Sequence, residues 1–327
     1  MTIRAGVVIL LVAACVTASA QGKKTYSAPR TPWGDPDLQG AYTNSAESLT
    51  PMERPDTLSS KRLDEFTAEE LDRLARQRNE ARDEADRQRW ELRSPLHWFE
   101  NLGVKGSRAW LIVDPADGRI PPQTPDARKR LAALADARRG RGEYDSWEDR
   151  SLYDRCISRG IPGSMMPAIY GNAYDITQGP GVVAIRYEMV HEARVIPLNV
   201  PDLTRSGLPV TPHVGQAIRS YMGDARGHFD GDTLVVETTN FNDKVSYRGS
   251  STNLRLTERF TRAAPDVVVW SVTFDDPSTW TRPWTFAMNL TRVPSEQGPF
   301  EYACHEGNYA MRNLLSSARA EERMGGK

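Results

Sequence analysis

Cysteine and histidine are scarce, with three and five in 327 residues. No tight set of the two is spelled at zinc-ligand spacing, so no metal framework is expected. Charge of one sign is missing too: 42 Lys and Arg against 43 Asp and Glu leave a formal net charge of −1. That excludes a basic footprint for nucleic acid. The chain has no GxxxxGK[ST] loop and no dinucleotide fingerprint, which removes a nucleotide cofactor, and no other cofactor is expected. Nothing repeats at solenoid or propeller periods. After the first twenty residues no apolar run approaches membrane length, so the mature chain is expected to be soluble or lipid-tethered rather than integral.

What is present begins with an address. "MTIR" carries a positive charge, "AGVVILLVAACVTA" is a short apolar run, and "ASA" ends at Ala20, which together read as a signal peptide over residues 1–20. A lipoprotein box with Cys15 as the lipidated residue is the competing reading. Either sends the chain to the periplasm or outside the cell. Removing the signal leaves Cys156 and Cys304. Two cysteines in an exported chain most simply form one disulfide, closing a loop of roughly 150 residues and contributing on the order of 4 to 5 kcal/mol in the chain-entropy model. An inert buried thiol and a nucleophilic thiol are the alternatives.

Residues 21–160 read as an extended arm followed by helices. The proline-rich stretch from Tyr26 to Pro55 lies over the rest, anchored by Trp33, Leu38 and Tyr42. Thr67 and Glu70 form a capping box that opens a charged helix running to about Trp90, and Thr124 with Pro125 opens another that ends at Gly140. "WLIVDP" is a short buried strand. From about Pro167 the apolar period becomes two, through eight or nine candidate strands ending in "FEYACHE". One of their turns is "DGD", where Asp230 and Gly231 suit a two-residue hairpin. The class expected is α+β, with a C-terminal antiparallel up-and-down barrel over 161–307, a helical and irregular N-terminal half, and a helix and tail over 308–327.

"TPWGDPDLQG", "LIVDPADGRIPP", "RGIPGSMMPAIYGN", "GDTLVVETTNFND" and "FEYACHEGNY" together resemble a family of exported bacterial proteins without known activity, across nearly the whole mature chain. The barrel half is similar in strand pattern to lipocalin-like folds, which transfers no functional residue.

Chemistry has to be read from faces. Leu254, Leu256, Glu258 and Phe260 share one side of a strand, so Glu258 interrupts an apolar row and needs a partner or a raised pKa. Trp284, Phe286, Met288 and Leu290 share another, and Phe300, Tyr302, Cys304 and Glu306 a third. With Trp270, these aromatics are expected to wall a cavity for a small hydrophobic or aromatic ligand. Arg186 and Glu188, with His191 beyond, are placed to meet Glu258 across the interior. Glu258 would then transfer a proton, Arg186 would fix negative charge, and Tyr302, His191 or the His305/Glu306 pair at the barrel mouth would complete the transfer. A structural Arg–Glu pair is the plainer reading of the same residues. The alternating His228, Asp230 and Asp232 offer a weak metal set that the turn explains better, and Ser164 lacks the glycine two residues on that a nucleophile elbow needs. The expectation is an exported enzyme doing cofactor-independent acid/base work of the lyase, hydratase or isomerase type. A noncatalytic carrier of an apolar molecule and a cell-envelope scaffold are the alternatives.

Overall fold

The computed structural model describes residues 26–90, 107–168, 170–198, 212–294, 298–302, 304 and 307–325. The signal segment, with Cys15, and the candidates His305 and Glu306 fall outside them. Ten strands form one sheet: β1 (Gly40–Thr43), β2 (Ile112–Asp114), β3 (Ala173–Gly179), β4 (Val182–Tyr187), β5 (Ala193–Pro197), β6 (Asp224–Asp230), β7 (Thr233–Thr239), β8 (Arg255–Ala264), β9 (Val267–Asp275) and β10 (Trp284–Arg292). Nine of them run antiparallel in the order β5-β4-β3-β1-β10-β9-β8-β7-β6 and curl into a nearly closed barrel, with β2 paired to β10 off that path.

Period-two patterning builds the wall. Along β9 the even positions Val268, Trp270, Val272 and Phe274 are buried, and the residues between them are only half-covered. The rows expected to face inward on β8 and β10 do so: Leu256, Glu258, Phe260, Trp284, Phe286, Met288 and Leu290 are all fully buried. The β6–β7 hairpin is one residue out of the expected frame. Asp230 pairs with Thr233, so the two turn residues are Gly231 and Asp232, and Gly231 takes the positive φ of +60° that the first central position of such a turn demands.

The arm does more than lie on the barrel. Its β1 is a stave, with Tyr42 opposite Tyr174 of β3 and Arg292 of β10, and Leu38 and Tyr42 fully buried. A simple meander would leave the edges of β3 and β10 unpaired, and β1 satisfies both. The opposite seam, between β5 and β6, is joined by a parallel bridge from Leu198 to Gly227. Gly227 is tight there: a Cβ would stand 2.8 Å from Leu198 Cδ2 and 3.0 Å from Ile196 Cγ2. Gly227→Ala is therefore expected to lose about 1–3 kcal/mol through overpacking, measured by urea denaturation. A variant as stable as the parent would mean the seam is open.

Three α-helices are described: α1 (Ala68–Trp90), α2 (Pro125–Ala137) and α3 (Ala310–Arg323). Thr67 and Glu70 exchange the two capping-box hydrogen bonds, at 3.0 and 3.3 Å, and Thr124 Oγ1 accepts from Ala127 N at 3.1 Å. The first turns of α1 are not simply solvated, because Leu71 and Leu74 pack on the core and Arg78 donates to the Ala109 carbonyl at 2.6 Å. No helix among the described residues is long and apolar enough to cross a membrane. The strand expected at "FEYACHE" is absent over residues 298–302, which are irregular; Pro299 brings no N–H for a ladder, and Phe300 is exposed.

Candidate functional site

Glu258 lies inside the barrel at 0% exposure, and its partner is Arg194 of β5. The pair is bidentate, with Nη1 to Oε2 at 2.5 Å and Nη2 to Oε1 at 3.1 Å. Trp270 Nε1 donates a third bond to Oε1 at 3.1 Å. Burial alone would weaken the Arg194 charge, but the facing carboxylate outweighs it and holds the guanidinium protonated. Burial first, and the Glu258 carboxylate with it, raises the phenol of Tyr187 beside the pair. Every strong acceptor of Glu258 is thus engaged by a donor, which suits a structural pair better than a proton carrier.

The meeting expected between Arg186 and Glu258 does not occur. On β4 it is Val183, Ile185 and Tyr187 that point inward. Arg186 is on the outer face, 3.5 Å from Asp175 and on the rim of a cleft of ≈ 740 Å³ shared with Arg292 and Asp266. Glu188 is outside the interior as well: its carboxylate accepts from Ala173 N at 3.1 Å and braces the turn after β4. His191 is exposed in that turn. Arg194 was legible as the residue alternating with Ile196 and Leu198, a parity that places it inside with them.

The rings expected to wall a cavity pack on one another. Phe274 and Trp284 stack with centroids 4.1 Å apart and planes 3° apart, while Trp270 meets Phe286 edge-on at 5.3 Å. Phe260 lies over Trp270 at 6.3 Å. All five are fully buried, so their mass forms the core rather than the lining of a hollow.

Tyr302 belongs to a different place. Residues 151–153, 158, 159, 168 and 170, with 244–246, line an open cleft of ≈ 510 Å³, Tyr153, Ser158, Arg159, Tyr170 and Lys244 among them, and Tyr302 reaches it through Tyr170. Gly160, at φ +64°, lets the two walls approach, since a Cβ there would run into Val245. The Tyr170 and Tyr302 hydroxyls meet at 3.3 Å, and the Arg159 guanidinium lies 5.5 Å from the centre of the Tyr153 ring. Burial, then the hydrogen bond shared with Tyr170, lifts Tyr302 to about 12, and the same two causes raise Tyr153. Both phenols are therefore neutral donors at physiological pH. Burial lowers Arg159, but an arginine so shifted remains a cation.

The expected disulfide joins the segment of Tyr153 and Arg159 to that of Tyr302. Cys156 and Cys304 are bonded with Cα atoms 5.7 Å apart, Cys156 lying between Tyr153 and Arg159 on one wall and Cys304 two residues beyond Tyr302. Behind the cleft, Ser158 Oγ donates to Glu192 Oε2 at 2.9 Å and accepts from Gly160 N at 2.8 Å. Asp230 and Asp232, read as a weak metal set, instead face Arg259 and Arg30. Among the described residues no group of three or more His, Cys, Asp or Glu is placed to hold a metal ion.

Comparison with protein-family models, with curated proteins and with solved structures found no match. The resemblance to an exported bacterial family thus gains no support from them.

Proposed function

We propose that the protein is an exported enzyme that binds a small ring-bearing molecule with an anionic or developing anionic oxygen in the tyrosine cleft, and carries out cofactor-independent acid/base chemistry on it. One observation carries this reading: the phenols of Tyr153 and Tyr170 line a single cleft with the Arg159 cation, and the Tyr302 hydroxyl meets that of Tyr170 at 3.3 Å. Such groups donate to and stabilise an oxyanion, as a lyase, hydratase or isomerase of the enolate-forming kind requires. The rings of Tyr153 and Tyr170 supply a flat apolar surface for the ligand's own ring. The Cys156–Cys304 bond is compatible with an oxidising compartment, and so supports export.

The test is a thermal-shift panel of aromatic carboxylates, phenols and aliphatic acids. Ring-bearing acids and phenols are expected to raise the melting temperature of the parent, with little response to aliphatic acids of equal charge. Tyr170→Phe and Arg159→Gln should each weaken the response by about ten-fold in apparent affinity, the loss of one charge-assisted or phenolic hydrogen bond. A panel that stabilises parent and variants alike would remove the cleft from consideration.

A further inference from the structure

Glu192 is a carboxyl that the core does not explain. It is half-buried, follows two consecutive non-glycine residues in the left-handed region, Val190 at φ 63° and His191 at φ 58°, and begins the turn into β5. A β-branched residue there is a genuine outlier, held only when its surroundings over-determine it. The strained turn is closed by Tyr187 N donating to the Glu192 carbonyl at 2.8 Å, and it delivers the carboxyl to the hydroxyls of Ser158 and Ser164. Ser158 in turn lines the tyrosine cleft.

We propose that Ser158 and Glu192 form a proton relay serving the tyrosine cleft, with Glu192 as the acceptor. The inference rests on the cleft reading above. An O–H or activated C–H bond of the ligand breaks, its proton passes to Ser158 Oγ, and the proton already on Ser158 passes to Glu192 Oε2. The bonding pair stays on the ligand and is carried on the oxygen held by the phenols and Arg159. Atoms and charge balance without oxidant, metal or cofactor.

The surroundings suit an acceptor. Burial lifts Glu192 above the ordinary carboxylate range, and the Ser158 and Ser164 hydroxyls pull it part of the way back. The phenol of Tyr187 on β4 feels the Glu192 charge, the guanidinium of Arg194 two residues on is committed to Glu258, and Arg159 and Lys244 stand in the cleft itself. A carboxyl raised in this way binds its proton more tightly in the folded chain than in the unfolded one. Its contribution to stability is present below the unfolded pKa and is lost as pH rises through the folded value, so Glu192→Gln should fold and should lose that slope.

4-Nitrophenol is the probe, because its neutral and ionised forms absorb at different wavelengths. Bound to the parent at a pH where the free probe is mostly neutral, it is expected to show the phenolate band. Glu192→Gln should bind it within about two-fold of the parent, and Glu192→Gln and Ser158→Ala should each carry about ten-fold less phenolate per bound probe, the equivalent of one pKa unit. Equal phenolate in parent and Glu192→Gln overturns the relay and leaves the cleft standing. Loss in Glu192→Gln but not in Ser158→Ala overturns Ser158 as the carrier. No saturable binding to the parent overturns the cleft reading and the relay with it. Should Glu192→Gln fail to fold, the phenolate band of Ser158→Ala decides alone, since removing one hydroxyl leaves the carboxyl in place.

Discussion

Arg194→Met is expected to cost about 3–5 kcal/mol of folding stability. The substitution leaves the Glu258 carboxyl at 0% exposure without its guanidinium partner and with the Trp270 indole as its remaining donor. Glu258→Leu should lose a similar amount by stranding the guanidinium. The double variant Arg194→Met/Glu258→Leu should recover most of that loss, because two buried charges are exchanged for apolar groups of similar volume. The double-mutant cycle, read by urea denaturation, then gives a coupling of several kcal/mol. Single variants that each lose less than about 1 kcal/mol would mean that the pair is solvated, not locked inside the barrel.

Breaking the disulfide is the second large effect. The bond closes a loop with a sequence separation of 148, for which the chain-entropy model gives on the order of 5 kcal/mol, and measured losses for removing such bonds run about 2–5 kcal/mol. Cys156→Ser/Cys304→Ser should fall in that range. It should also release the segment that carries Tyr302 from the one that carries Tyr153, so ligand affinity at the cleft should drop even at temperatures where the barrel remains folded. The two readouts separate the roles of the bond: stability lost with affinity kept would make it a constraint on the unfolded chain only. Two free thiols in the denatured, unreduced protein would contradict the bond itself.

Much of the barrel could be read from one strand at a time, because period-two alternation is local. Leu256, Glu258 and Phe260 announce their shared face within five residues, and the caps at Thr67 and Thr124 are spelled within four. Arg186 was misplaced where that signal fails. In "VVAIRYEM" both parities carry apolar side chains, and only the pairing of Ile185 with Arg194 and of Arg186 with Ala193 fixes which face is inside. The role of β1 was hidden for another reason. Tyr42 pairs with residues 132 and 250 positions downstream, Tyr174 and Arg292, a distance no local pattern encodes. Tyr153 and Tyr170 of the cleft, and Tyr302 beside Tyr170, likewise lie in irregular backbone with no periodicity to announce a face. Tyr302 was singled out, but on a strand that does not form over the described residues.

Glu258 lies in the core, and the proposed ligand site lies apart from it in the tyrosine cleft. The most direct measurement of that separation is the dissociation constant of 4-nitrophenol for two double variants, Tyr170→Phe/Tyr302→Phe and Arg194→Met/Glu258→Leu. A rise of about ten-fold or more for the tyrosine variant, with the ion-pair variant unchanged, is the predicted result. Affinity lost with the ion pair and kept without the two hydroxyls would place the ligand in the barrel and contradict the account.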